Sequence, residues 1–187
     1  MTHTRFHWVR HGPTHAKTLV GWSNLPADLS DHAAIARLSA YLPNAPVISS
    51  DLSRARATAD AIQGQRPRLP DNASLREIHF GDWELQHFTE VEDQALIRRF
   101  WEEPGSVTPP GGESWDVVRA RVNDAVDKLI GHEDIIIVAH FGVILTQVQR
   151  ALGIGGYEAF SHKIDNLSVT EIRFDGAWSA GRINHIL

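Results

Sequence analysis

The chain has 187 residues, 42% of them apolar and 22% charged, as expected for one soluble globular domain. It contains no cysteine, so disulfides, thiolate metal sites and a cysteine nucleophile are excluded. A net charge of -5 argues against a general nucleic-acid or anionic-membrane binder, although a few residues can still make a pocket cationic.

The amino terminus leads straight into a strand at Phe6-His7-Trp8-Val9, without the apolar core of a signal peptide. No apolar run approaches the roughly 20 residues that span a bilayer, so a cytoplasmic protein with no membrane or nucleic-acid partner is expected. Gly12-Pro13 stops the strand, and 15–29 reads as loop. Ser30 is placed to cap a helix carrying Ala33, Ile35, Ala36, Leu38 and Leu42. Pro43 to Pro46 breaks it before a short strand, Val47-Ile48-Ser49.

Asp51 or Ser53 caps the next helix, which runs through Arg56, Ala59 and Ile62 to near Gly64. Leu75 to Phe80 reads as a short strand, and Thr89 to Glu102 as a helix. Pro104 to Gly112 is a loop. Ser114 then caps a long helix with an apolar stripe at Val117, Val118, Val122, Ala125, Val126, Leu129 and Ile130.

Ile135 to Ala139 is the clearest buried strand, being continuously apolar and β-branched. A helix follows over Val143 to Leu152, and Asn166 to Phe174 with Trp178 to Ile183 reads as a hairpin around Asp175-Gly176. Strands alternating with helices predict an α/β sandwich with a mostly parallel sheet in one domain over 1–187.

Four separated stretches carry the reactive groups: Val9 to Thr14, Ser49 to Ala55, Leu75 to Gly81 and Val138 to Gly142. Open α/β sheets bind ligands beyond the carboxyl ends of their strands, which is where Arg10, His11, Arg54 and His140 fall. An arginine fork matches phosphate oxygens two at a time. Neutral histidine is a nucleophile that can form a phosphoramidate. A poor alkoxide leaving group needs a protonated acid, and a glutamate such as Glu77 suits that role when its pKa is raised.

Glu84 competes with Glu77 for the acid, and Trp22 and Trp83 are candidate pocket walls; Trp101 and Trp115 read as packing. His7, His11 and His15 recur every four residues, but on a strand and turn rather than a helix, so no metal site is expected. His79 and His87 read as rim or surface, and Arg98-Arg99 as a solvated helix face.

The four motifs together resemble the histidine phosphatase superfamily, also called phosphoglycerate mutase-like. Arg10-His11-Gly12 with Thr14 matches its first motif, Arg54 its second arginine, Glu77 before Phe80-Gly81 its acid, and His140 its second histidine. Pro110-Gly111-Gly112-Glu113-Ser114 and Asp165-Asn166 look like further landmarks. The Gly-Gly-Glu-Ser stretch is similar to the α-ribazole phosphatase and broad-specificity branches.

The resemblance implies a three-layer α/β/α sandwich with a small helical cap at about 86–110. It also implies a small phosphate ester as partner, with no metal and no cofactor. His11 would attack phosphorus while Arg10, Arg54 and His140 hold its oxygens, and Glu77 would protonate the leaving oxygen. Thr14, Lys17, Trp22, Glu84 and Phe141 are the remaining substrate-binding candidates, with backbone N–H groups near Phe141 and Gly142 as added anion donors.

Lys17 stands where the family often has Asn, and Phe141-Gly142 where it commonly has Gly-Gly; the loop near Gly21-Trp22-Ser23 looks shortened. The alternatives are phosphoglycerate mutase-type transfer and a non-catalytic phospho-ligand binder. A possible homodimer is compatible with an exposed strand or tryptophan patch.

Overall fold

The computed structural model describes residues 3–187. A five-stranded sheet in the order β2-β3-β1-β4-β5 forms its centre. These strands are β1 (Thr4–Arg10), β2 (Val47–Ser49), β3 (Asp134–Ala139), β4 (Val169–Phe174) and β5 (Trp178–Ala180). The helices are α1 (His32–Tyr41), α2 (Ser53–Gln63), α3 (Gln94–Glu102), α4 (Trp115–Asp127), α5 (Phe141–Leu152) and α6 (Gly156–Ala159).

The sheet is mixed rather than mostly parallel. Strands β1 and β2 pair with β3 in parallel, whereas β4 runs antiparallel to β1, and β5 to β4. The cause is the return of the chain after α6. Leu167 N–H bonds the Arg10 carbonyl at the carboxyl end of β1, so β4 starts there and descends.

Alternation in the strands serves two cores. Phe6, Trp8, Ile135 and Ile137 face a cluster with α4 and α5. Val9, Ile136 and Val138 face a second cluster with α1 and α2. Ile135 to Ala139 has no solvent exposure, and each fully buried isoleucine contributes about 1.5–3 kcal/mol. Among the described residues no helix is long and apolar enough to cross a membrane.

Several local expectations differ from the structure. Asp31 caps α1, accepting from Ala34 N–H at 3.0 Å, because Ser30 is drawn into a turn by Asp28. Neither Asp51 nor Ser53 caps α2 with its side chain: Asp51 is taken by Arg76, and Asn24 Oδ1 accepts the Ser53 N–H at 2.7 Å from a distant loop. Residues 75–80 form no strand: Leu75 ends a 3-10 turn, Ala73–Leu75, and 76–80 run irregularly to a second one, Gly81–Trp83.

The expected helix from Thr89 is a 3-10 turn, Phe88–Glu90, and then α3, recapped by Asp93. Val117 is 52% exposed, off the buried stripe of α4. Leu129 and Ile130 lie beyond its end, and the hairpin strands are shorter than expected.

Candidate active site

Register brings the two histidines together. Arg10 at the end of β1 lies opposite Ala139 at the end of β3, so the next residues, His11 and His140, become neighbours. Their ring centroids are 5.1 Å apart. Ser49 ends β2 opposite Val138, and one turn later α2 presents Arg54 to the same edge.

The bonds of His11 decide its tautomer. Its Nδ1 lies 2.7 Å from the Gly12 carbonyl, which can only accept, so Nδ1 carries the proton. Its Nε2 lies 3.3 Å from Arg54 Nε, which can only donate, so Nε2 carries the lone pair. Burial, helped by the Arg54 and Arg10 guanidiniums, lowers the His11 pKa to about 3. The ring is therefore neutral at pH 7. The backbone of this loop is braced on both sides: Thr58 Oγ1 accepts the Gly12 N–H at 2.9 Å, and Asn166 Nδ2 donates to the His11 carbonyl at 2.8 Å.

Arg54 is almost wholly buried, and its two terminal nitrogens donate to the carbonyls of Ser23 at 2.9 Å and Gly21 at 2.6 Å. Arg10 donates to the Ile164 carbonyl at 2.7 Å and lies over the Phe141 ring, 5.5 Å from its centroid. Its Nε and both ring nitrogens of His140 are buried without a protein partner. Burial pushes the His140 pKa well below the usual histidine value, with His11 adding in the same direction.

Glu77 is buried, and burial raises its pKa above the ordinary carboxyl value. Hydrogen bonds oppose that rise: Gly142 N–H reaches both carboxyl oxygens at 3.1 Å, and Ile78 N–H reaches Oε1 at 3.0 Å. Burial is the larger effect. The N–H of Gly142, at the start of α5, is thus spent on Glu77 rather than left for a bound anion. A Cβ on Gly142 would sit 2.6 Å from Glu77 Oε1, so this approach needs glycine.

Arg10, His11, Arg54, Glu77, Thr14 and Phe141 border one cavity of about 200 Å3. Larger hollows of about 410 and 570 Å3 exist, but neither contains these groups. Lys17 is exposed and does not line the cavity, nor does Trp22; His140 is wholly buried and reaches the site only as the neighbour of the His11 ring. The Trp22 indole instead donates to the Glu77 carbonyl at 2.8 Å, with the Arg76 guanidinium over its ring and His79 meeting it edge-on.

Glu84 also stays out of the cavity. Its carboxylate accepts from the N–H groups of Gly21, Trp22, Ser23 and Phe80 and from the Ser23 hydroxyl. Trp83 is buried against Phe100, whereas Trp101 lines the cavity. The adjacent aromatics Phe100-Trp101 were the available signal: only one of two neighbours on a helix can face the core. His7 and His15 turn away to Asp134 and Asp28, each at 2.7 Å, so the four-residue histidine spacing gathers nothing.

Comparison with known proteins identifies the family. Residues 6–184 match the family model described as "Histidine phosphatase superfamily (branch 1)". A bifunctional protein of Mycobacterium tuberculosis is 32% identical over 98% of this chain, which spans only 54% of that protein's length. The adenosylcobalamin/alpha-ribazole phosphatase of Salmonella typhimurium is 28% identical over 92% of this chain and 87% of its own. Bacillus stearothermophilus YhfR superposes with a TM-score of 0.89 at 26% identity, covering 98% of both chains. On the match of nearly its full length, the chain belongs to the histidine phosphatase superfamily, branch 1.

Proposed function

We propose that this protein is a cytoplasmic phosphomonoesterase that hydrolyses a small phosphorylated metabolite through a phosphohistidine. The observation that carries the reading is His11: a buried, neutral imidazole with its lone pair on Nε2, facing a guanidinium beside a closed acid. The Salmonella relative is a phosphatase, which supports the same class.

In the first step Nε2 of His11 bonds to phosphorus as the ester P–O bond breaks, and the Glu77 proton passes to the leaving alkoxide. Arg10, Arg54 and His140 hold the three equatorial oxygens: Arg10 Nε and the His140 ring nitrogens have no protein partner, and Arg54 Nε points at His11 Nε2, where phosphorus arrives. In the second step the Glu77 carboxylate takes a proton from water. The oxygen bonds to phosphorus, the P–N bond breaks, and inorganic phosphate leaves with His11 neutral again. Thr14 and Phe141 border the departing group, and α3 with the residues around it (86–110) forms a cap over one side. Trp22 and Glu84 act behind the site, holding the backbone of Glu77 and the loop that orients Arg54.

The alternatives, mutase-type transfer and non-catalytic phospho-ligand binding, have less support: His11, Glu77 and His140 are all present, and the chain is short for a mutase. The test is His11→Ala assayed on p-nitrophenyl phosphate, with alkali-quenched enzyme probed for base-stable, acid-labile phosphohistidine. The expected result is loss of both signals; unchanged hydrolysis by His11→Ala overturns the reading.

A further inference from the structure

Beyond its phosphate cradle, the cavity has a chemical character that selects among phosphate esters. The other residues that border it are Ala16, Leu19, Val20, Phe80, Trp101 and Phe141, six apolar residues, with Thr14 and Thr18 beside them. Neither lysine nor a third arginine lines it. The two guanidiniums at its base are already engaged: Arg54 by two carbonyls, Arg10 by the Ile164 carbonyl and the Phe141 face.

A second anion on the substrate would therefore give up water and find only threonines beside it, with no free cation to pair with. An apolar group meets the opposite situation. Trp101 is held edge-on by Phe100 at 5.0 Å and by Phe160 at 5.1 Å between ring centroids. Its indole is thus a preformed wall that loses little freedom when a ligand packs on it. The volume of about 200 Å3 lies below the roughly 300–1,000 Å3 of drug-sized sites, so one ring or a short branched chain is the matching size.

We propose that the enzyme selects monophosphates of compact, uncharged alcohols with an apolar face, and discriminates against esters bearing a second anion such as a carboxylate. Trp101 is the wall that sets this preference. The inference rests on the phosphatase reading given above and narrows its substrate.

The test compares kcat/KM for benzyl phosphate, glycerol 3-phosphate and 3-phosphoglycerate, all alkyl esters with poor leaving groups, so that intrinsic reactivity does not decide the order. Benzyl phosphate is expected to exceed 3-phosphoglycerate by at least about tenfold, mainly through KM. Trp101→Ala is expected to shrink that ratio about tenfold, and Trp101→Phe to retain most of it, which separates loss of the wall from loss of folding. Wild-type enzyme that hydrolyses p-nitrophenyl phosphate through His11 yet turns over 3-phosphoglycerate as well as benzyl phosphate overturns this inference alone. Failure to hydrolyse any of these esters overturns the phosphatase reading with it.

Discussion

Arg121 grips Glu113 with two nitrogens, Nε on Oε1 and a terminal nitrogen on Oε2, each at 2.8 Å. The same guanidinium donates to the carbonyls of Ser74, Arg76 and Glu77. Glu113 completes the clamp by accepting the His79 N–H at 3.0 Å, while its own N–H bonds the His79 carbonyl at 2.8 Å. This pair replaces a partner strand for residues 74–79 and sets where the Glu77 carboxyl points.

Arg121→Lys keeps the charge but loses the planar fork, so the segment relaxes. Turnover of benzyl phosphate, which needs the Glu77 proton, is expected to fall at least about tenfold more than turnover of p-nitrophenyl phosphate. Equal falls on both esters would show that Arg121 supports the fold without positioning the acid.

Glu84 works on the other side of the site. Glu84→Gln keeps the size but turns an amide N–H toward backbone donors that now meet a carboxylate oxygen, freeing the loop whose carbonyls aim Arg54. Hydrogen bonds to a charged group contribute about 1.5–3 kcal/mol each, so a stability loss of about 3 kcal/mol is expected by urea unfolding. KM should rise for every ester alike, because Arg54 faces phosphate and not the leaving group.

The pH–rate profile follows from opposite shifts. Burial raises the Glu77 pKa, so the protonated acid survives to higher pH than a free carboxyl and is lost as pH rises through that raised value. Burial lowers the His11 pKa to about 3, so the nucleophile stays neutral well below the usual histidine range. Steady-state kcat for benzyl phosphate should therefore show an alkaline limb that is absent for p-nitrophenyl phosphate, whose leaving group departs without a proton. It should show no fall near pH 6.5 from protonation of the nucleophile.

The same shift has a stability counterpart. A histidine lowered to about 3 in the folded state binds fewer protons than in the unfolded chain, so stability falls as pH drops below about 6.5. For His11 the loss between pH 7 and pH 5 is about 2 kcal/mol, and His140 adds to it with the same sign. Urea midpoints at the two pH values should converge in a His11→Asn variant; an undiminished gap would assign the loss to other groups.

How much of this was legible beforehand differed from residue to residue. Ile135 to Ala139 is so uniformly apolar that only a strand covered on both faces suits it, and the strand-end rule then placed Arg10, His11 and His140 at one edge. Leu75 to Phe80 misled because its apolar alternation is real: Leu75, Ile78 and Phe80 are buried. Its backbone partners, however, are side chains from Glu113 and Arg121, and no local pattern announces a guanidinium 44 residues away. Trp22, a candidate wall by sequence, and Glu84, a candidate acid, both sit close to the site yet outside its cavity. Which direction a loop side chain faces depends on packing that sequence spacing does not encode.

The amide of Asn166 steadies the carbonyl of His11, and Arg10 leans on the carbonyl of Ile164, so the nucleophile's loop is finished by residues 155 and 154 positions downstream. A ribosome extends the chain from its amino end at about 5–20 residues per second, so the reactive loop must wait many seconds for its braces. Nascent or prematurely terminated chains thus emerge without a working phosphorus-transfer centre, however well their first strand and helices have condensed.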